Sequence, residues 1–280
     1  MIPIFLIDQD IQNWLKEDLP YWDLTTSLLP EKQAEGKILS KQEGVVAGLF
    51  IIKRIFQFVG AECKPLVEEG TYVEKGVQIA SISGTFQSLL QAERTALNIL
   101  GRMSGIATQT FKMVKIAKEG NPSLRISGTR KVVPGLSKYD KYAIITGGGD
   151  THRFNLSDMI LLKENHLAGF ESITEAIQKA KEKTSFSKKI EVEVQDEKQA
   201  IIAAKANADI IMLDNFSPEE VKISIPKIKE FNPEVLIELS GNITMENLHE
   251  YALKGVDIIS SGSLTHTVKN FDFTMLVEQK

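Results

Sequence analysis

The chain is poor in the residues that make several kinds of site. One cysteine in 280 residues, Cys63, rules out an internal disulfide and any cysteine-rich metal centre. It sits in AECKPL and reads as an ordinary small core or surface residue. His152 and His166 have no cysteine nearby and no HExxH spacing, so a zinc site is not expected. No apolar run is long enough for a membrane span. The opening MIPIFLIDQDIQNWLKEDL lacks a basic leader and a small-residue cleavage site and turns acidic by Asp8, which points to the cytoplasm. Charge of one sign is also lacking: 33 basic and 37 acidic side chains leave a net −4, giving no general attraction to nucleic acid or an anionic membrane. An anionic ligand must therefore be met by a local cluster. G-x-S-x-G, a Walker loop and a dinucleotide fingerprint are all missing.

What is there suits a globular α/β protein, since 42% hydrophobic residues over this length supply one good core and a smaller second one. Ile7, Ile11, Trp14 and Leu15 recur on one helical face until Asp18, Pro20 and Asp23 end the pattern in the turn DLTT. From Ala34 to Ile82 short strands are broken by Gly44, Gly48, Gly70, Gly76 and Gly84, with one helix over Leu49 to Phe58. Phe86 to Lys118 is helical, and Gly101, Ser104 and Gly105 predict two helices meeting at a close backbone contact. Glu93 and Arg94 stand inside its apolar run, either on a solvated face or for a specific purpose.

After Pro122 short apolar strands alternate with helices: LRISG, DMILL, KIEVEV, DIIMLD, VLIELS and DIISSG, separated by helices near Lys138–Thr146, Ile173–Lys183, Glu197–Ala206, Pro218–Phe231 and Met245–Leu253. Such alternation indicates parallel strands covered by helices. Periodicity alone also permits a doubly wound open sheet. Polar residues at nearly every strand end favour strands converging on one mouth, and six strands are too few for the eight-stranded barrel. The expected fold is therefore an open or incomplete six-stranded α/β barrel with a smaller N-terminal α/β domain. Residues 1–118 would form that domain with its long linking helices, 119–270 the barrel, and 271–280 a segment returning to the first domain.

Arg130 and Lys131 follow the first of these strands in SGTRKVVPG, His152 and Arg153 precede the second in GGGDTHRF, and Lys163 follows it in LLKENH. Cations this close repel one another unless acidic neighbours or an anionic ligand compensate them. Arginine grips a carboxylate or phosphate through a planar fork, whereas lysine acts as a point charge. The later strands carry the opposite sign: Glu193 near the end of EVEV, with Glu191 one layer deeper, and Asp214 ending IIMLD. Carboxylates there suit a divalent cation or vicinal hydroxyls; capping of a helix by Asp214 or Asn215 is the plainer alternative. Ser240, Gly241 and Asn242, then Ser261, Gly262 and Ser263, stand where small residues opening a helix can bind phosphate. His166, just past Lys163, reads as a capping or interface residue.

These residues are where the chain resembles the quinolinate phosphoribosyltransferases, also called carboxylating nicotinate-nucleotide pyrophosphorylases. EDLPYWDLTT, GVVAGL, AERTALNILGRMSGIAT, GTRK, KYAIITGGGDTHRF, LLKENH, EVEV, IIMLDN, ELSGNI and SSGSLTH follow that family's order over nearly the whole chain. The resemblance implies transfer of a phosphoribosyl group from phosphoribosyl pyrophosphate to quinolinate, with magnesium. The products would be nicotinate mononucleotide, pyrophosphate and carbon dioxide, a step of NAD biosynthesis. It also implies a homodimer, or a larger assembly built on one, in which each small domain covers the partner's barrel mouth. Arg130, Arg153 and Lys163, with Thr129, Lys131 and His152 beside them, resemble the quinolinate and phosphate contacts. Arg94 resembles an arginine reaching the partner's site. Glu193 and Asp214 resemble the carboxylates that meet the ribose hydroxyls and magnesium, and Ser240–Asn242 with Ser261–Ser263 the 5′-phosphate cradle. Lys131, Lys163, Glu193 and Asp214 carry the expected chemistry.

One loop departs from the family. Where members commonly read TRKTTPG followed by a large residue and an arginine, this chain reads TRKVVPGLS, so Val132, Val133 and Ser137 remove two hydroxyls and a cation. A related group that accompanies molybdate-transport genes shares the opening PYWDLTT, so a different aromatic or anionic acceptor is the alternative. A third reading is a phosphoribosyl pyrophosphate sensor without turnover.

Overall fold

The computed structural model describes residues 2–279. In chain order the elements are α1 (Ile4–Asp18), β1 (Gln33–Ser40), β2 (Gly44–Val45), α2 (Leu49–Phe58), β3 (Glu62–Pro65), β4 (Tyr72–Val73), β5 (Gln78–Thr85), α3 (Phe86–Gly120), β6 (Arg125–Ser127), α4 (Ser137–Thr146), β7 (Ile160–Leu162) and α5 (Glu164–Leu167). There follow α6 (Ile173–Lys183), β8 (Ile190–Val194), α7 (Glu197–Lys205), β9 (Ile210–Asp214), α8 (Pro218–Phe231), β10 (Leu236–Ser240), α9 (Leu248–Tyr251), β11 (Ile258–Ser260), α10 (Ser263–His266) and β12 (Phe273–Gln279). No helix among the described residues is long and apolar enough to cross a membrane. Two compact units divide the chain: Met1–Phe111, Lys138–Gly148 and Thr267–Lys280 form the first, Lys112–Ser137 and Gly149–His266 the second.

The first unit is built on an antiparallel sheet in the order β12-β1-β5-β3, with β12 paired to β1 from Ala34↔Gln279 to Ser40↔Phe273. The apolar face of α2, with Leu49, Ile51, Ile52, Ile55 and Phe56, is buried. Two expectations differ here. The stretch 138–148, placed with the barrel by sequence, belongs to this unit. Asp140 accepts two bonds of 2.8 Å from Arg102 on α3, and Asp10 takes the Tyr139 hydroxyl at 2.6 Å and the Lys138 ammonium at 2.6 Å. α3 is one uninterrupted helix, not two. A side chain at Gly101 would meet the Phe271 carbonyl at 2.8 Å, and one at Gly105 would strike that of Lys269, so these glycines allow close backbone approach without breaking the helix.

The second unit holds six parallel strands in the order β6-β11-β10-β9-β8-β7. From β7 to β11 each strand is laid beside its predecessor, and β11 returns to β6. This is barrel winding; a doubly wound sheet reverses direction at an inner strand. β6 and β7 are the two ends of the ladder, so the barrel is incomplete, and the choice that periodicity left open is settled by connectivity. The covering helices start where side chains cap them: Ser172 accepts from the Glu175 N–H, Asp196 from Gln199, and Ser217 forms a capping box with Glu220 ahead of Pro218. The helix expected over Met245–Leu253 shrinks to one turn. Asn247 Oδ1 takes the Thr244 N–H at 2.8 Å and its Nδ2 donates to the Asn242 carbonyl at 3.1 Å, so side-chain bonds replace the first helical turn. Because all six strands run the same way, their carboxyl ends open on one side.

Candidate functional site

A cavity of about 780 Å³ lies at those strand ends, within the second unit. Thr129, Arg130, Lys131, His152, Arg153, Lys163, Glu193, Asp214, Ser240, Gly241, Asn242, Ser261, Gly262 and Ser263 all line it. Arg94, the other residue expected at the site, is exposed on the part of α3 that belongs to the first unit.

The cations come from the loops after β6 and before β7 and from the end of β7. Thr129 Oγ1 accepts the Lys131 N–H at 3.0 Å, closing a tight turn, and Thr265 Oγ1 donates to the Lys131 carbonyl at 2.7 Å, tying that loop to α10. Arg153 donates to the Met159 carbonyl at 3.3 Å. Burial first, and then the charge of Arg130, pull the Arg153 guanidinium below its ordinary pKa. The smaller, Arg130 part of that shift is the mutual repulsion expected between cations this close. His166 lies outside the cavity lining; its Nδ1 accepts the Lys163 N–H at 3.0 Å, which is a capping role.

Glu193 and Asp214 stand on adjacent strands. Glu193 is paired directly with the Lys163 ammonium. Asp214 accepts from the side-chain amides of Asn215 at 2.8 Å and Gln195 at 3.4 Å. Asp214 does not cap α8, whose N-cap is Ser217, so the plainer alternative for it does not hold.

The loops after β10 and β11 bring small residues together. Gly241 has φ +95°, while Asn242 and Asn215 adopt φ +52° and +58°. A side chain at Gly241 would run into that of Asn215, whose Oδ1 takes the Asn242 amide at 3.1 Å. Ser261 and Ser263 share a hydroxyl bond of 2.8 Å. The helices here, α9 and α10, are single turns, so loop amides and hydroxyls supply the donors and a long helix dipole does not.

Glu238 was missed by sequence reasoning. It lies on β10, fully buried, yet borders the cavity beside His152. Glu191 is fully buried as well, one layer beneath Glu193 as strand alternation requires. His152 Nε2 is 3.1 Å from Glu238 and 3.3 Å from Glu191. Burial alone would lower the imidazole pKa, but the two carboxylates outweigh it and raise it to about 10. Burial, and then the charge of Glu238, push the Glu191 carboxyl above its ordinary range. A charged residue between Ile237 and Leu239 in a run that reads as buried strand was the available signal. Val132, Val133 and Ser137 do not line the cavity; Val133 is exposed and Ser137 begins α4.

Residues 23–104 match the family model for the quinolinate phosphoribosyl transferase N-terminal domain, and residues 106–276 that for the C-terminal domain. The chain belongs to the quinolinate phosphoribosyl transferase family. A Methanocaldococcus jannaschii protein named as a probable carboxylating nicotinate-nucleotide pyrophosphorylase is 45% identical, over 95% of each chain. The Dictyostelium discoideum nicotinate-nucleotide pyrophosphorylase is 34% identical, over 100% of this chain and 98% of its own. The crystal structure of NadC from Streptococcus pyogenes, 37% identical, superposes with a TM-score of 0.94 over 100% of this chain and 99% of that one. The two-domain fold of this family member is thus the family's own.

Proposed function

We propose that the protein transfers the phosphoribosyl group of phosphoribosyl pyrophosphate to quinolinate and decarboxylates the adduct, giving nicotinate mononucleotide, pyrophosphate and carbon dioxide. The observation that carries this is the gathering of Arg130, Lys131, His152, Arg153 and Lys163 with Glu193 and Asp214 around one cavity in a chain of this family. The cations suit an acceptor with two carboxylates and a nearby phosphate. The donors of Ser240–Asn242 and Ser261–Ser263 suit the 5′-phosphate.

The pyridine nitrogen attacks C1′ of the ribose as the bond to pyrophosphate breaks, and positive charge builds on the sugar. Glu193 and Asp214 stabilise that charge and hold the ribose hydroxyls, while Lys163 keeps Glu193 in place. The ribosylated ring is cationic. The 2-carboxylate then leaves as carbon dioxide, its bonding pair stays on the ring carbon, and a proton from solvent replaces it. No base at the sugar is required.

The donor set fits magnesium. Two carboxylates offer hard oxygen ligands, and the rest of an octahedral shell is ordinarily filled by water and phosphate oxygens. Glu193 and Asp214 would hold it, in competition with Lys163 for Glu193. When bound, the ion neutralises charge on the leaving pyrophosphate. We propose further that Arg94, exposed on α3, serves the site of a partner subunit in a homodimer, and that the protein acts in the cytoplasm.

The test is pyrophosphate release with phosphoribosyl pyrophosphate and magnesium, with and without quinolinate, following nicotinate mononucleotide. Quinolinate-dependent release with matching product is expected. Tight binding of phosphoribosyl pyrophosphate without release would overturn the quinolinate assignment.

A further inference from the structure

The proposed reaction leaves Glu191 and Glu238 unused. Both are fully buried, on strands separated by β9. Among the described residues neither oxygen of Glu191 nor Oε1 of Glu238 has a hydrogen-bond partner. Carboxylates removed from water without partners are costly, and a protein retains them only where a charge answers them. The group in front of them is the His152 ring, 3.1 and 3.3 Å away through Nε2 and with its side chain only 9% exposed. The backbone of His152 has φ +53°, a region a non-glycine residue occupies when its surroundings hold it there. Asp150 Oδ1 provides such a hold by accepting the His152 N–H at 2.9 Å.

We infer that Glu191 and Glu238 are positioning residues: from beneath the cavity they fix the ring and the positive charge of His152, one of the cations already proposed to meet the acceptor's carboxylates. The inference rests on the proposed reaction, in which the acceptor is an aromatic acid. The charged groups facing His152 are Glu191 and Glu238 on the strands beneath, Asp150 on its own loop, and Arg153 beside it; the carboxylates outnumber the cation. A ring engaged through Nε2 keeps its other nitrogen for a second bond, and in the cationic ring that nitrogen is a donor. A donor with full charge, oriented from a buried support, distinguishes a carboxylate from a neutral substituent. The same arrangement accounts for two charged residues on the fully buried positions of these strands. They act through His152 and need not touch the substrate.

The test uses the whole protein with ¹⁵N-labelled histidine, the His152→Gln variant serving to assign the ring signals. In the ligand-free protein both His152 nitrogens are expected to stay protonated at pH 8.5, where exposed histidines are neutral. Glu238→Gln should lower that titration by at least about one pH unit and raise KM for quinolinate roughly tenfold. KM for phosphoribosyl pyrophosphate should stay within about twofold, because the support lies under the acceptor end. Glu191→Gln should behave alike, so that one variant failing to fold does not decide the matter. Loss of a His152 proton near pH 6.5 in the unaltered protein would overturn the inference, as would an unchanged KM for quinolinate in both folded variants. Displacement of the ring proton by stoichiometric Zn²⁺ would also overturn it, by making the trio a metal site. Because the titration is read without ligand, a charged His152 in a protein that makes no nicotinate mononucleotide would overturn the proposed reaction and leave the support of His152 standing.

Discussion

Nε2 of His152 lies 3.1 Å from Oε2 of Glu238, a carboxylate 86 residues further along the chain and wholly buried. The contact joins a loop that lines the cavity to the interior of β10. It ties the charge of the site to the stability of the barrel.

That coupling gives stability a pH dependence. The folded-state pKa of His152 is raised from 6.5 to about 10. A histidine raised in this way contributes stability fully below the unfolded value and loses it as pH rises through the folded one. Thermal melts from pH 6 to 10 should therefore show the unaltered protein losing stability across that window. Glu238→Gln, which removes one of the carboxylates that hold the ring charged, should move that loss to lower pH; an unchanged profile would count against the contact.

Gly241 stands at φ +95°, and a Cβ there would collide with the side chain of Asn215. Gly241→Ala should displace Asn215 and with it the Asn242 amide, at a cost of about 1–3 kcal/mol in stability. Steady-state kinetics should show KM for phosphoribosyl pyrophosphate rising more than KM for quinolinate, since the cradle and not the acceptor end is distorted.

Lys163 pairs with Glu193 but is itself 44% exposed along its side chain. Lys163→Ala should cost less than about 1 kcal/mol in unfolding free energy. It should nevertheless lower kcat/KM on the order of a hundredfold, because Glu193 loses its orientation where charge develops. An equal loss of stability and activity, measured by denaturation and turnover on one preparation, would mean that the pair is only structural.

Arg102 holds the fully buried Asp140 through two bonds of 2.8 Å. Removing the guanidinium in Arg102→Ala should destabilise the first unit by on the order of 3 kcal/mol, read by chemical denaturation. Arg102→Lys should recover only part of this, since an ammonium cannot reproduce the fork.

Restoring the family's hydroxyls tests the departing loop. Neither Val132 nor Val133 lines the cavity, so the double change V132T/V133T should leave both KM values within about threefold. A large fall in KM for quinolinate would show that the loop rearranges when the acid binds.

The chain's own pattern determined the local pieces. Apolar runs of strand length and the helical stretches between them act over a few residues, so they were legible directly, and the caps at Ser172, Asp196 and Ser217 start those helices in the structure. The ordered motifs also made the family and most of the cavity lining readable, because parallel strands deliver their terminal residues to one side. Tertiary structure decided what depends on distant partners. α3 runs unbroken through Gly101 and Gly105, whose lack of side chains serves instead the close approach of the Phe271 and Lys269 carbonyls. The 138–148 stretch joins the first unit because Asp140 and Tyr139 find Arg102 and Asp10. Glu238 matters because β9 separates it from Glu191 while the loop before β7 lowers His152 onto both. Periodicity says which face of a strand a residue takes; only the packed barrel says which charge waits there.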